Sequence, residues 1–326
     1  MYKGIADYLE SDINCAKEYL HAALKGQTKN QELEHILYDA VNNPGKMIRP
    51  LILFLTAGDY EEGLKDELMT TAAAVELLHI STLILDDMID GSPLRRGEMT
   101  IQAEYGSDVA LYAGDYLLVR AYSYLLEKGY ADQAGTLMKV GQTACDGEMC
   151  QHDNLNNLSV KMDDYLRAIN GKTAFFFREI CSMGCRITKK DEKTSKLYEG
   201  IGETIGMMFQ IRDDLLDWIG ESRIIGKPAN EDFLEGIYTM PAIYTFSREW
   251  YGDRLREIAK KDNKSPKDMI KAVRLVEDSG GIAYTKEYLI NERKKALDML
   301  AVLDHSRYTE SLGMIIDYCS KQDWVR

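Results

Sequence analysis

Tyr112-Ala-Gly-Asp-Tyr116-Leu-Leu-Val119-Arg-Ala-Tyr-Ser123 returns Tyr112, Tyr116, Val119 and Ser123 at the three- and four-residue steps of one helix face. The stretch lies inside a longer run, Leu94 to Lys227, that contains no proline. Proline interrupts helix interiors, and the whole chain has only six. The run is rich in Ala, Leu, Met, Glu and Lys, which are good helix formers. Tyr165, Ile169 and Lys172 repeat the same spacing further on. No alternating apolar and polar run bounded by turn residues occurs, so no strand is predicted. The expectation is an all-α chain, one large helical bundle forming a single domain over residues 1–326. No low-complexity linker and no short solenoid period interrupts it.

Composition narrows the function classes. The 326 residues carry 40 Lys and Arg against 53 Asp and Glu, a formal net charge of −13. That balance argues against a nucleic-acid partner, which calls for a basic face, and against a polybasic membrane anchor. No run approaches ~18 consecutive apolar residues, so no stable membrane anchor is expected. Six cysteines in a chain of this length do not make a disulfide scaffold. The first ten residues lack the layout of a signal peptide, which points to a reducing, cytoplasmic setting. Cys181 and Cys185, one turn apart with few histidines nearby, read as buried thiols rather than metal ligands. Gly200, Gly202 and Gly206 resemble a dinucleotide-binding loop only faintly, with the wrong spacing and no preceding strand. They read as glycines that let two helices pack closely.

The chemistry concentrates in two segments, Leu83-Ile-Leu-Asp86-Asp87-Met-Ile-Asp90 and Phe209-Gln210-Ile-Arg-Asp213-Asp214-Leu-Leu-Asp217. Each places Asp-Asp-x-x-Asp after an apolar stretch. On a helix, Asp86 and Asp90 project together, as do Asp213 and Asp217. Like charges at that spacing repel by a few tenths of a kcal/mol, and burial raises the cost. One such cluster reads as a solvated acidic helix end. Two point to hard oxygen ligands for Mg2+, a metal that bridges carboxylates to phosphates. Basic groups accompany them: Lys46 and Arg49 before the first cluster, Arg95 and Arg96 after it, Lys172 between the two, and Lys227 after the second. Arginine offers phosphate a planar fork, and lysine offers a point charge.

With these residues in order, the chain resembles the trans-isoprenyl diphosphate synthases, the polyprenyl synthetase family. The motifs are Gly45-Lys-Met-Ile-Arg-Pro50, Glu76-Leu-Leu-His79, the first aspartate cluster, Arg95-Arg96-Gly97, Gly114-Asp115 and Gly147-Glu-Met-Cys-Gln151. Lys172-Thr173, Phe209-Gln210, the second cluster, Gly226-Lys227-Pro228 and Asp232-x-x-Glu235-Gly236 complete the series. The resemblance implies the isoprenoid synthase fold around a central cavity, usually as a homodimer. It implies head-to-tail condensation of an allylic diphosphate with isopentenyl diphosphate. Asp86, Asp90 and Asp213 resemble the main ligands of a trinuclear Mg2+ cluster, with Asp87, Asp214 and Asp217 in the shells around it. Arg95, Lys172 and Lys227 resemble the clamp on the allylic diphosphate. Lys46, Arg49, His79 and Arg96 resemble the isopentenyl diphosphate pocket. Thr173 and Gln210 would face the reacting carbons. One departure is Ile237, where the family often has lysine, and it reads as a mark of subtype.

Product length follows from what blocks the cavity. Leu78, Ser81 and Thr82 lie one to two turns before Asp86, and each turn is about 5.4 Å deep. Shorter-chain members commonly carry a bulky aromatic four or five residues before the cluster. Ser81 and Thr82 are small, which favours a medium or long all-trans product in the hexa- to nonaprenyl range over geranylgeranyl or farnesyl diphosphate. The bland alternative is that they only make helix contacts. Met149, Tyr116 and Phe175 to Phe177 are the deeper candidates for a floor. A terpene cyclase would not be expected to keep the isopentenyl diphosphate residues and the second cluster. A non-catalytic partner subunit would be expected to lose carboxylates. A catalytic subunit that needs a small helper protein stays open.

Overall fold

The computed structural model describes residues 7–42, 45–95, 97–220 and 230–320. Among the described residues, helices dominate: α1 (Glu10–Leu24), α2 (Gln31–Asn42), α3 (Ile48–Ala57), α4 (Lys65–Ile89), α5 (Ile101–Tyr105), α6 (Ser107–Glu127), α7 (Ala131–Asp153), α8 (Met162–Ile169), α9 (Phe175–Ile187) and α10 (Glu192–Ile219). Further helices follow, from Glu231–Glu235 to Arg307–Ser320. The all-α expectation holds, with one correction. Leu94–Arg95 (β1) pairs antiparallel with Glu98–Met99 (β2). Two-residue strands are too short to show alternation in a sequence. Gly97 supplies the positive φ of 86° that so tight a reversal requires.

Two compact units divide the described residues by the density of their contacts. The first comprises residues up to 141, with 179–199 and 305–312. Its central element is α4, buried on every side from Leu68 to Leu78. Ala72, Ala73 and Ala74 keep its girth small, and an all-round apolar surface of this kind belongs in a core. By length and composition the segment Glu62–Ile89 also meets the criteria for crossing a membrane, although 78% of its apolar window is buried inside the protein. Core helices pass that test. α4 packs mainly on α6, where Gly114 brings the two together: a Cβ on Gly114 would lie 2.7 Å from Leu85 Cδ2. Cys181 and Cys185 are both buried, and burial pushes their thiols up, as the reading of inert cysteines expects.

The second unit comprises residues 142–178, 200–304 and 313 onward. Here the spacing of Tyr165, Ile169 and Lys172 misleads. α8 ends at Ile169, and residues Asn170–Ala174 form a single π turn before α9. Lys172 therefore leaves the α-helical face of Tyr165. Gly147 and Gly206 hold the turn from two directions. A Cβ on Gly147 would lie 2.5 Å from the Lys172 backbone nitrogen, and one on Gly206 2.5 Å from the Ala174 Cα. Gly206 is thus a packing glycine, as read, and the false dinucleotide loop is part of α10.

Candidate active site

In the first unit, the headgroup candidates gather around α3 and α4. Met47 takes a left-handed turn, φ 48°, into α3, which puts Lys46 at the exposed approach and Arg49 in the first helical turn. Pro50 fits there because the first amides of a helix have no internal partner. Arg49 Nη1 lies 2.9 Å from His79 Nε2 on α4. A guanidinium can only donate, so His79 must accept at Nε2, and its neutral ring carries the proton on Nδ1. Arg96 and Lys227 lie outside the described residues.

The first aspartate cluster occupies the last turn of α4, with Asp90 as its C-cap. Asp87 is turned inward and is 7% exposed. Arg95 Nε donates to both its oxygens at 2.8 Å, and Arg95 Nη2 reaches Oδ1 at 2.7 Å. Asp86 is half-buried and Asp90 exposed. In the second unit, Asp213, Asp214 and Asp217 occupy the last two turns of α10. Asp213 is exposed, whereas Asp214 and Asp217 are buried. Asp217 Oδ1 accepts the Glu231 amide at 3.1 Å, and the Asp217 carbonyl accepts the Asn230 amide at 2.9 Å. Asp214 accepts from the Tyr165 hydroxyl at 2.6 Å and from Gln210 Nε2 at 2.9 Å. Burial and the nearby Asp232 carboxylate push the Asp214 carboxyl up to about 8, against the pull of those two donors.

The six aspartates are thereby sorted. Asp87, Asp214 and Asp217 are buried, whereas Asp86 is half-buried and Asp90 and Asp213 are exposed. Asp86, Asp87, Asp90 and Asp217 stand in or cap the last turn of their helix, at the negative end of the helix dipole, with Asp213 and Asp214 one turn further in, and neither helix has a basic residue in its last turn. Hard oxygen donors at such ends fit a divalent cation. Among the described residues, no three His, Cys, Asp or Glu side chains form a ready cage. Mg2+ does not require one, because it keeps several waters and takes phosphate oxygens.

On the π turn, Lys172 Nζ lies 2.7 Å from Glu148 Oε1 of α7. Thr173 Oγ1 donates to Gln210 Oε1 at 2.9 Å. Thr173 and Gln210 are therefore brought together. Sequence reasoning missed Glu148 as the partner of Lys172 and Tyr165 as the partner of Asp214. Glu148 sat in a quoted motif, and Tyr165 on a noted helix face, but the π turn hides the relation.

The chain-length candidates separate. Leu78 is buried at 1% exposure and Ser81 at 0%. The Ser81 hydroxyl donates to the Gly114 carbonyl at 2.8 Å, which is the helix contact of the bland reading. Thr82 is half-buried, with its hydroxyl on the His79 carbonyl at 2.8 Å. Of the deeper candidates, Met149 is 56% exposed, which does not suit a cavity floor, whereas Phe176 and Phe177 are buried and Tyr116 and Phe175 half-buried.

The model of the family described as polyprenyl synthetase matches residues 30–276. The chain belongs to the polyprenyl synthetase family. Its membership makes it an enzyme of the prenyltransferase class. Among similar members, heptaprenyl diphosphate synthase component 2 of Geobacillus stearothermophilus is 30% identical over 329 residues, covering 99% of each chain. A solved polyprenyl synthase from Caulobacter crescentus, complexed with calcium and isoprenyl diphosphate, superposes with a TM-score of 0.88 at 25% identity. That match covers 99% of this chain and 98% of the other. A geranylgeranyl pyrophosphate synthase from Lactobacillus brevis gives a TM-score of 0.86 at 28% identity, over 98% of both. The isoprenoid synthase fold expected of a polyprenyl synthetase is thus the fold found.

Proposed function

We propose that this polyprenyl synthetase condenses an allylic diphosphate with isopentenyl diphosphate, head to tail, to make a medium or long all-trans polyprenyl diphosphate. The observation that carries the reading is the sorting of the six aspartates at two helix C-termini. Asp86, Asp90 and Asp213 hold Mg2+, as a trinuclear cluster, against the allylic diphosphate. Asp87, Asp214 and Asp217 fix the helix ends behind them. Bound Mg2+ supplies the positive charge that lets diphosphate leave. Arg95, Lys172 and Lys227 bind the same anion. Arg95 and Lys172 rest on Asp87 and Glu148 and exchange those partners for phosphate oxygens. Lys46, Arg49, His79 and Arg96 bind isopentenyl diphosphate. Neutral His79 can donate from Nδ1 while Arg49 holds its other nitrogen. Thr173 and Gln210 turn oxygen dipoles toward the allylic carbons as positive charge develops on them. No protein nucleophile is required.

The chain acts as a single domain in the cytoplasm, as a homodimer. The exposed side chains of Tyr112, Val119 and Leu126, seven residues apart on α6, support such an interface. A second reading has it as the catalytic subunit of a heteromeric synthase, and the relative named component 2 favours it. One assay separates them. Purified protein with Mg2+, farnesyl diphosphate and labelled isopentenyl diphosphate should extend the primer beyond geranylgeranyl. Extension that requires an added small subunit selects the heteromeric reading. A product that stops at geranylgeranyl diphosphate overturns the assigned length, and no incorporation under either condition overturns the function.

A further inference from the structure

Glu148 stands on α7, yet its carboxylate reaches the π turn that carries Lys172. Two glycines allow that reach. A Cβ on Gly171 would lie 2.9 Å from both the Gly147 Cα and the Thr143 carbonyl oxygen, so α7 and the π turn touch backbone to backbone. The next residue of α7 is Glu148, and its Oε1 lies 2.7 Å from Lys172 Nζ. The same π turn is tied to α10 by Thr173 on Gln210 at 2.9 Å, just ahead of the second aspartate cluster. The pair is not sealed in. The Lys172 and Glu148 side chains are 29% and 36% exposed, so an anion arriving from solvent has access to the ammonium that Glu148 holds.

We propose that Glu148 is a positioning residue that competes with diphosphate for Lys172 and so sets how readily the clamp lets go. This rests on the reading of Lys172 as part of the diphosphate clamp. A lysine ammonium is a compact charge on a flexible stem, and it can swing between two anions. When diphosphate binds, Lys172 leaves Glu148. When diphosphate departs, Glu148 takes the ammonium back. Each binding event therefore breaks one ion pair, and each release restores it. A part-exposed pair of this kind weakens diphosphate affinity by about threefold. Repeated condensation requires such release. Every added unit frees one diphosphate, and the clamp must empty before the lengthened chain can present its own. Without an internal anion the clamp would hold the departing diphosphate longer.

The test compares Glu148→Gln and Glu148→Asp with the parent protein, all as the full chain with Mg2+. Calorimetry with inorganic diphosphate should show Glu148→Gln binding about threefold more tightly than the parent. Glu148→Asp keeps the charge and withdraws it by one methylene group. It should also tighten binding, by about twofold, because the contact with Lys172 is lost. In steady state, Glu148→Gln should lower both the KM for farnesyl diphosphate and the inhibition constant of inorganic diphosphate by about threefold. A merely structural support moves these quantities the other way. Unchanged or weaker diphosphate binding by Glu148→Gln therefore overturns the proposal. Tightening by Glu148→Gln without tightening by Glu148→Asp also overturns it, by making Glu148 a distant repelling charge. If Glu148→Gln does not fold, Glu148→Asp alone decides, and unchanged or weaker binding by it overturns the proposal. A parent protein without prenyl transfer sinks the functional reading itself, whereas an active parent whose variants do not tighten sinks only the role of Glu148.

Discussion

Ser81 and Thr82 are adjacent, small and hydroxylated, and the fold gives them different surroundings. Ser81 is closed against Gly114 of α6, so a larger side chain there must push two helices apart. Ser81→Phe is expected to cost about 1–3 kcal/mol through overpacking, visible as a lower melting temperature. Thr82 retains access, so Thr82→Phe is expected to keep the melting temperature and move the product chromatogram toward shorter chains. An unchanged product distribution would remove Thr82 from the tunnel wall. The sequence presented both residues as equivalent. What separates them is a glycine more than thirty positions away, and helix periodicity carries no information about which neighbour a face meets. The aspartates followed the same rule. Their i, i+4 spacing was legible, while the inward turn of Asp87, Asp214 and Asp217 depended on Arg95, Tyr165, Gln210 and the amides after residue 229.

At the scale of elements, proline positions and helix formers were sufficient to predict an all-α chain. The β1–β2 hairpin and the π turn were not legible. Two-residue strands leave no periodic trace, and a π turn reads as ordinary helix until its hydrogen bonds shift by one residue. The π turn is nevertheless the element on which Lys172 and Thr173 depend. Gly147 and Gly206 approach its backbone with no room for a methyl group. Gly206→Ala, otherwise favourable in a helix, is expected to destabilise by about 1–3 kcal/mol because Ala174 and its backbone must move. Its kcat should fall more than its melting temperature alone implies. Retained activity with a raised melting temperature would show that the contact is slack.

At the scale of the whole molecule, the acidic balance of −13 suggested what the protein does not bind, and it gave no guide to a ligand of its own sign. Local arrangement decides that, because carboxylates gathered at a helix end can recruit cations. The apolar row on α6 is a further feature visible only when the surface is known. Val119→Lys with Leu126→Lys is expected to shift the sedimentation profile from dimer to monomer, and an unchanged profile would place the interface elsewhere. The helix C-termini carry one more consequence. α4 and α10 each end in carboxylates where the peptide dipoles already point their negative pole, an arrangement that costs on the order of 0.3–1 kcal/mol per charge. Arg95 on Asp87, and the Asn230 amide on the Asp217 carbonyl, close only part of each end. The divalent cation assigned to the chemistry would also finish the helix, as a removable cap drawn from solution, so that loading the protein and tightening its two helix ends become one event.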